Sequence, residues 1–154
     1  MNAGNPKKFF VDSTVLRLGK WLRYLGFDTS FVQSEREMGP DGVFLTKRKM
    51  RTNGSKMIQF VPFDRIEEQL TWFKEHFGSE IDLQKVGSRC IRCNEPLFEI
   101  PKESVKDRVP DYIYQTHTVF RICPSCKKIY WRGSHPERML AYLERIGIFA
   151  RDGT

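Results

Sequence analysis

Four cysteines stand in two Cys-x-x-Cys pairs, Cys90-Ile91-Arg92-Cys93 and Cys123-Pro124-Ser125-Cys126, and they are all the cysteines of the chain. A Cys-x-x-Cys on a tight turn aims two sulfurs at one centre, so two such turns supply the four thiolates that tetrahedral structural zinc takes. Two disulfides or a redox dithiol are the alternatives. The first needs a secretory leader, and the segment from Met1 to Lys8 carries no long apolar stretch. The second would use one pair, not two. Four sulfurs close the coordination shell and leave no position for substrate or activated water, so zinc at Cys90, Cys93, Cys123 and Cys126 is structural. Any reaction lies elsewhere.

The carboxyl ends of strands are the other places where chemistry can sit, because ligand crevices of parallel α/β sheets form there. Three such ends are legible: Asp12, Thr46-Lys47-Arg48 and Phe63-Asp64. Asp12 and Asp64 facing one crevice would hold a divalent cation through oxygen. The plainer alternative has each carboxylate capping the helix next to it, and for Asp64 capping is preferred, since aspartate is a favoured N-cap. The remaining end is crowded by Lys47, Arg48, Lys49 and Arg51, with Lys56 beyond. Such a cluster repels a metal cation and attracts phosphate.

Basic residues also gather near aromatic ones. Arg17, Lys20 and Tyr24 recur at helical spacing with Trp21 and Arg23 beside them, and every charge on that helix is positive. Around the second cysteine pair, Arg121, Lys127, Lys128 and Arg132 surround Tyr130 and Trp131. That mixture can neutralise phosphates and stack bases; alternatively both aromatics pack on the cysteine turns and supply a core. His135 either contacts a phosphate or is an ordinary residue in the first turn of a capped helix.

The elements that must position these groups can be read from periodicity. Lys7 to Val11 forms a buried strand running into Asp12. Ser13 or Thr14 then caps a helix with Val15, Leu18, Leu22 and Leu25 on one face, stopped by Gly26. Residues 27–32, 43–46 and 57–61 are short β-forming runs. From Asp64 a helix places Ile66, Leu70, Phe73 and Phe77 on one side and stops at Gly78. Strands alternating with helices imply a mostly parallel sheet covered by helices over residues 7–78. The polar residues 79–88 form a linker, and 89–150 a four-cysteine ribbon with a C-terminal helix. Ser134-His135-Pro136-Glu137 is that helix's capping box, and Met139, Leu140, Leu143 and Ile146 its apolar face.

Composition sets the outer bounds. The chain has 154 residues, 40% hydrophobic and 29% charged, room for one medium or two small domains. No run reaches the roughly 18 to 20 apolar residues of a membrane span, which predicts a soluble protein in the cytoplasm or another intracellular compartment. Lys+Arg number 26 against Asp+Glu 19, a net charge of +7, and clustered excess charge points to a polyanionic partner, nucleic acid first.

The order of motifs resembles a known family. Phe10-Val11-Asp12, then Leu16-Arg17-Leu18-Gly19-Lys20-Trp21-Leu22-Arg23-Tyr24-Leu25-Gly26-Phe27-Asp28, then Phe44-Leu45-Thr46, Arg89-Cys90-Ile91-Arg92-Cys93-Asn94 and Cys123 through His135 together are similar to the Mut-seven C-terminal RNase domain. The resemblance covers nearly the whole chain and implies a PIN-like domain with a C-terminal zinc ribbon. It also implies RNA cleavage by an acidic cluster holding Mg²⁺ or Mn²⁺, with Asp12 as the first aspartate. Two departures stand out. The family's pattern has an aspartate where this chain has Arg48. The acidic helix before the third strand is cut down to Ser34 through Asp41, with Gly39-Pro40 unsuited to a helix. Glu35, Glu37, Asp41 or Asp64 would have to compensate.

Three functions are therefore expected in order. The first is RNA binding through Arg17, Lys20, Lys47, Arg48, Lys49, Arg51, Lys127, Lys128, Trp131, Arg132 and His135, with weak or no nuclease activity. The second is a metal-dependent endoribonuclease using Asp12 with Asp64 or Asp41. The third is an interaction module docking an acidic partner. A small basic chain of this kind also suits membership of a larger ribonucleoprotein assembly.

Overall fold

The computed structural model describes residues 7–49, 57–131 and 135–148, with the backbone alone described at 135–137. Its centre is a four-stranded parallel sheet of β1 (Phe9–Val11), β2 (Thr29–Phe31), β3 (Val43–Thr46) and β4 (Met57–Phe60), in the order β2-β1-β3-β4. Phe9 pairs with both Thr29 and Val43, so all the strands start level and deliver their carboxyl ends to one edge. β1 and β3 are buried on both faces. That explains why they read as unbroken apolar runs and not as alternation.

Helices α1 (Leu16–Tyr24) and α2 (Ile66–Phe77) cover one face. Phe9 is the hub of the core, with Phe27, Phe73 and Phe77 rings at 5.2, 5.3 and 5.2 Å in edge-to-face contact. Close approach of α1 depends on Gly19. A Cβ at this position would lie 2.7 Å from both Phe31 Cε1 and Val11 Cγ2, so only a bare Cα lets the helix settle there. Gly26, at φ +101°, ends α1 in the left-handed conformation expected of a glycine stop. The opposite face is covered more thinly, by Met38 and Val32 against Phe10, Phe44 and Ile58. Between β2 and β3 the chain makes a single 3₁₀ turn, Glu35–Glu37, closed by a Ser34/Glu37 capping box.

Residues 79–88 are not a free linker. Ile81 and Val86 pack on the core, and the Gly87 amide donates to the Tyr24 carbonyl at 2.7 Å. The ribbon beyond them is a three-stranded antiparallel sheet, β5 (Phe98–Ile100), β6 (Phe120–Ile122) and β7 (Ile129–Tyr130), in the order β5-β6-β7. A short helix, α3 (Asp111–Thr116), fills the excursion between the cysteine pairs. With it comes a second small core of Val105, Val109, Ile113, Phe120 and Ile129. The last helix, α4 (His135–Arg145), comes after the ribbon in sequence but packs on the parallel-sheet core, where Leu143 is fully buried beside Met139, Leu140 and Tyr142. The cap expected for it, Ser134, lies outside the described residues. No described helix is long and apolar enough to cross a membrane.

Candidate metal centre and the strand-end site

The ribbon's four cysteines converge. Cys90, Cys93, Cys123 and Cys126 place their sulfurs within 4.8 Å of one another, the single group of its kind among the described residues, and none is in a disulfide. Two matching turns aim them. The Asn94 amide donates to the Cys90 carbonyl at 2.8 Å, and the Lys127 amide to that of Cys123 at 2.9 Å. Asn94 and Lys127 both sit at φ 65°. The Cys90–Cys126 sulfur separation of 3.8 Å equals the edge of a tetrahedron whose centre lies about 2.3 Å from each thiolate. This is a four-cysteine metal-binding cluster, and its residues fit a tetrahedral cation.

Tyr130 completes the shell by donating its hydroxyl to Cys90 Sγ at 3.1 Å. Desolvation raises the Cys90 thiol, but the Tyr130 hydroxyl and the Cys93 and Arg92 amides outweigh it and bring the pKa down to about 7. Desolvation and hydrogen bonds with its neighbouring sulfurs push Cys93 up to about 12. Four clustered thiolates repel one another, and a bound cation relieves that repulsion. Burial and the same sulfurs raise Tyr130, which keeps it a proton donor.

Arg23 joins this centre to the parallel sheet. Its side chain is 7% exposed; Nε donates to the Thr29 carbonyl at 2.9 Å, and Nη1 to the carbonyls of Ile91 and Arg92 at 2.9 and 3.2 Å. The guanidinium lies 3.9 Å from the Phe31 ring. Burial lowers its pKa against the pull of the Cys90 and Cys93 thiols. Beside it, Asn94 accepts from the Thr29 amide at 2.9 Å and donates to Asp28 at 2.7 Å, extending edge strand β2 onto the first cysteine turn.

The second site is at the carboxyl edge. Asp12, directly after β1, is 1% exposed. One carboxylate oxygen accepts from the Thr14 amide at 3.0 Å and from the Thr14 hydroxyl; the other accepts from the Thr46 hydroxyl at 2.6 Å. The two threonines are locked in turn, since the Lys47 amide donates to Thr14 Oγ1 at 2.9 Å and the Arg48 amide to Thr46 Oγ1 at 3.0 Å. Both hydroxyl protons are thereby committed to the carboxylate. Arg48 Nε stands 3.9 Å from Asp12 Oδ2, and its Nη2 reaches Ser13 Oγ at 3.4 Å. Three hydrogen bonds take most of the roughly four acceptor positions of the Asp12 carboxylate, and the Arg48 guanidinium places a positive charge beside Oδ2 without a hydrogen bond to it.

Asp12 does act as a cap, but of a 3₁₀ turn, Ser13–Val15, and neither Ser13 nor Thr14 caps α1. The expected Asp64 cap is corrected: α2 has Arg65 at its cap position with no side-chain bond, and the exposed Asp64 pairs instead with Lys47. Asp64 reaches the carboxyl edge only behind that lysine. Asp41 is elsewhere. It precedes Gly42, which abuts the Lys8 carbonyl, and so lies at the amino edge of the sheet, roughly 15 Å of strand away from Thr46. Glu37 is used in its own turn, accepting from the Gln33 amide at 2.6 Å.

Among the expected RNA contacts, Lys47, Arg48 and Lys49 stand at the carboxyl edge, Lys47 half-buried and the other two exposed. Arg17, Lys20 and Lys128 line one cleft. Tyr24 is buried and does not belong to the basic face of α1. Lys127 is exposed within its cysteine turn, and Trp131 packs against the ribbon's second core. Arg51 and Arg132 lie outside the described residues, as does the side chain of His135. Sequence reasoning passed over Thr14 and Thr46 as carboxylate partners, Arg23 as a buried clamp, and Arg92 and Arg138 as lining of the cleft. Only Arg23 left a signal, standing on the apolar side of α1 beside Leu22.

The chain belongs to the Mut7-C RNAse domain family, whose model matches residues 7–143. It is a ribonuclease-family domain carrying a metal-binding cluster of four cysteines. No curated protein and no solved structure matches it.

Proposed function

We propose that this protein binds RNA, holds a structural zinc in its ribbon, and has weak or no nuclease activity. The observation that carries the last point is the occupancy of Asp12. Its oxygens accept from Thr14 and Thr46 and lie beside the Arg48 guanidinium, and among the described residues it shares no cluster with a second and third metal-binding side chain. A Mg²⁺ or Mn²⁺ ion would have to compete with the threonine hydroxyls and sit close to a guanidinium, which opposes cation binding by charge. These residues do not fit a catalytic acidic cluster. The same charges favour phosphate, and the family supports RNA as the polyanion. For the ribbon, a tetrahedral all-thiolate shell suits zinc above the oxygen-preferring ions.

Incubating the protein and its Asp12→Asn variant with single-stranded and structured RNA in Mn²⁺ and in Mg²⁺ tests the reading. Expected is retention of RNA by both proteins without cleavage. Cleavage by the parent that Asp12→Asn abolishes would establish the alternative, an active endoribonuclease using Asp12.

A further inference from the structure

A cleft of about 710 Å³ lies where α1, the first cysteine turn, β7 and α4 meet. Six cations line it: Arg17 and Lys20 from α1, Arg92 from the turn between Cys90 and Cys93, Lys128 beside β7, Arg138 from α4, and the buried Arg23 at its base. No carboxylate is among the described residues lining it. Arg17, Lys20, Arg92 and Arg138 are exposed, and no ion pair joins them to a described carboxylate. Cations gathered from separate elements with no ion pair to a described carboxylate keep their repulsion until an anion enters, so the charge is complementary to a polyanion spanning the cleft.

The apolar part of the wall says which polyanion. Trp21, Phe31 and Tyr130 contribute rings between the charges. Trp21 is backed by Tyr142 at 5.2 Å, Phe31 by the Arg23 guanidinium at 3.9 Å, and Tyr130 is held through its hydroxyl to Cys90. These are rigid, half-exposed surfaces. Duplex RNA keeps its bases stacked inside and offers only backbone to a protein wall, whereas unpaired bases have free faces for aromatic rings. Phe31 ends β2, so the cleft opens at the same carboxyl edge that carries Asp12 and Arg48.

We infer that this cleft, built jointly by the α/β domain and the cysteine ribbon, is the track of single-stranded RNA, and that Arg92 and Arg138 contact its phosphates. The inference rests on the RNA-binding function proposed above and specifies its substrate class and path. It makes the ribbon part of the binding surface as well as a structural support.

The test measures fluorescence anisotropy of a labelled single-stranded oligouridylate of about 12 nucleotides and of a duplex of equal length, titrated with full-length, metal-loaded protein over a range of salt. The single strand is expected to bind more tightly than the duplex. Arg92→Ala with Arg138→Ala should weaken it about tenfold and lower the magnitude of the salt slope by about 1.4, two single-strand phosphate contacts. Arg17→Ala with Lys20→Ala, on the facing wall, provides a second pair should the first disturb folding, judged by circular dichroism, and should give a similar loss. If both folded pairs bind the single strand as the parent does while Lys47→Ala with Arg48→Ala does not, the cleft is overturned and RNA binding stands. If the duplex binds as tightly, the single-strand assignment is overturned. If no RNA binds, or only an acidic peptide such as polyglutamate does, both readings fall together.

Discussion

Asp12 shows how one residue type serves two unlike purposes at the same address. A buried carboxylate at the end of a parallel strand is well placed for metal chemistry, and equally well placed to tie two strand ends together. Here the second use is visible: Asp12 collects two threonine hydroxyls whose oxygens hold the start of the loop after β3. Asp12→Asn removes the charge from these hydrogen bonds and forces an amide N–H toward a hydroxyl already donating. The variant is expected to lose about 2 kcal/mol of stability in urea unfolding, in the range for hydrogen bonds to charged groups. A carboxylate kept only for catalysis behaves oppositely, since removing it leaves stability unchanged or raised.

At the scale of elements, α1 works in two directions. Leu18 and Leu22 bury against the sheet, while Arg23 turns from the same helix into the seam with the ribbon and meets three backbone carbonyls. Removing the guanidinium takes away the side-chain donor of all three carbonyls. Arg23→Met should therefore cost about 3 kcal/mol, from the unsatisfied acceptors it leaves behind. Arg17→Met on the exposed face should stay within about 0.5 kcal/mol. Denaturant midpoints of the metal-loaded proteins distinguish the two. The periodicity of α1 was legible in the sequence because apolar spacing at 3.6 residues needs no knowledge of what it packs against. The role of Arg23 was not, because a charged residue beside an apolar stripe reads as solvated until the carbonyls that meet it, some 68 residues on in sequence, are placed.

Across the whole molecule, two units are interlocked rather than strung together. The ribbon docks on edge strand β2 through Arg23 and Asn94 and on the Gly26 carbonyl after α1 through Arg89, and α4 returns from the ribbon to bury Leu143 in the first core. Metal affinity is then coupled to this interface, because the ribbon's own core is small and metal binding supplies much of the folding free energy of such modules. Chelation is expected to unfold the ribbon and abolish RNA binding while the parallel sheet persists. Metal analysis should return one ion per chain before treatment, and hydrogen exchange should show protection lost at residues 89–131 and kept in β1 and β3. Loss of all protection at once would mean that the sheet has no independent stability. Retained RNA binding after the ribbon unfolds would contradict its part in the binding surface.

The sequence by itself determined the local and the chemically specific. Paired cysteines at fixed spacing admit few uses, apolar runs flanked by turn residues make short strands, and the departure at Arg48 is a plain change of charge. Tertiary structure alone decided which distant groups share a neighbourhood. It set Arg48 against Asp12 and Lys47 against Asp64, put Asp41 at the far edge, and folded Arg92 and Arg138 into one cleft with Arg17 and Lys20. The physical reason is range. Backbone sterics and side-chain periodicity act over a few residues, but the electrostatics of a site depends on distances between groups that only the packed chain brings together.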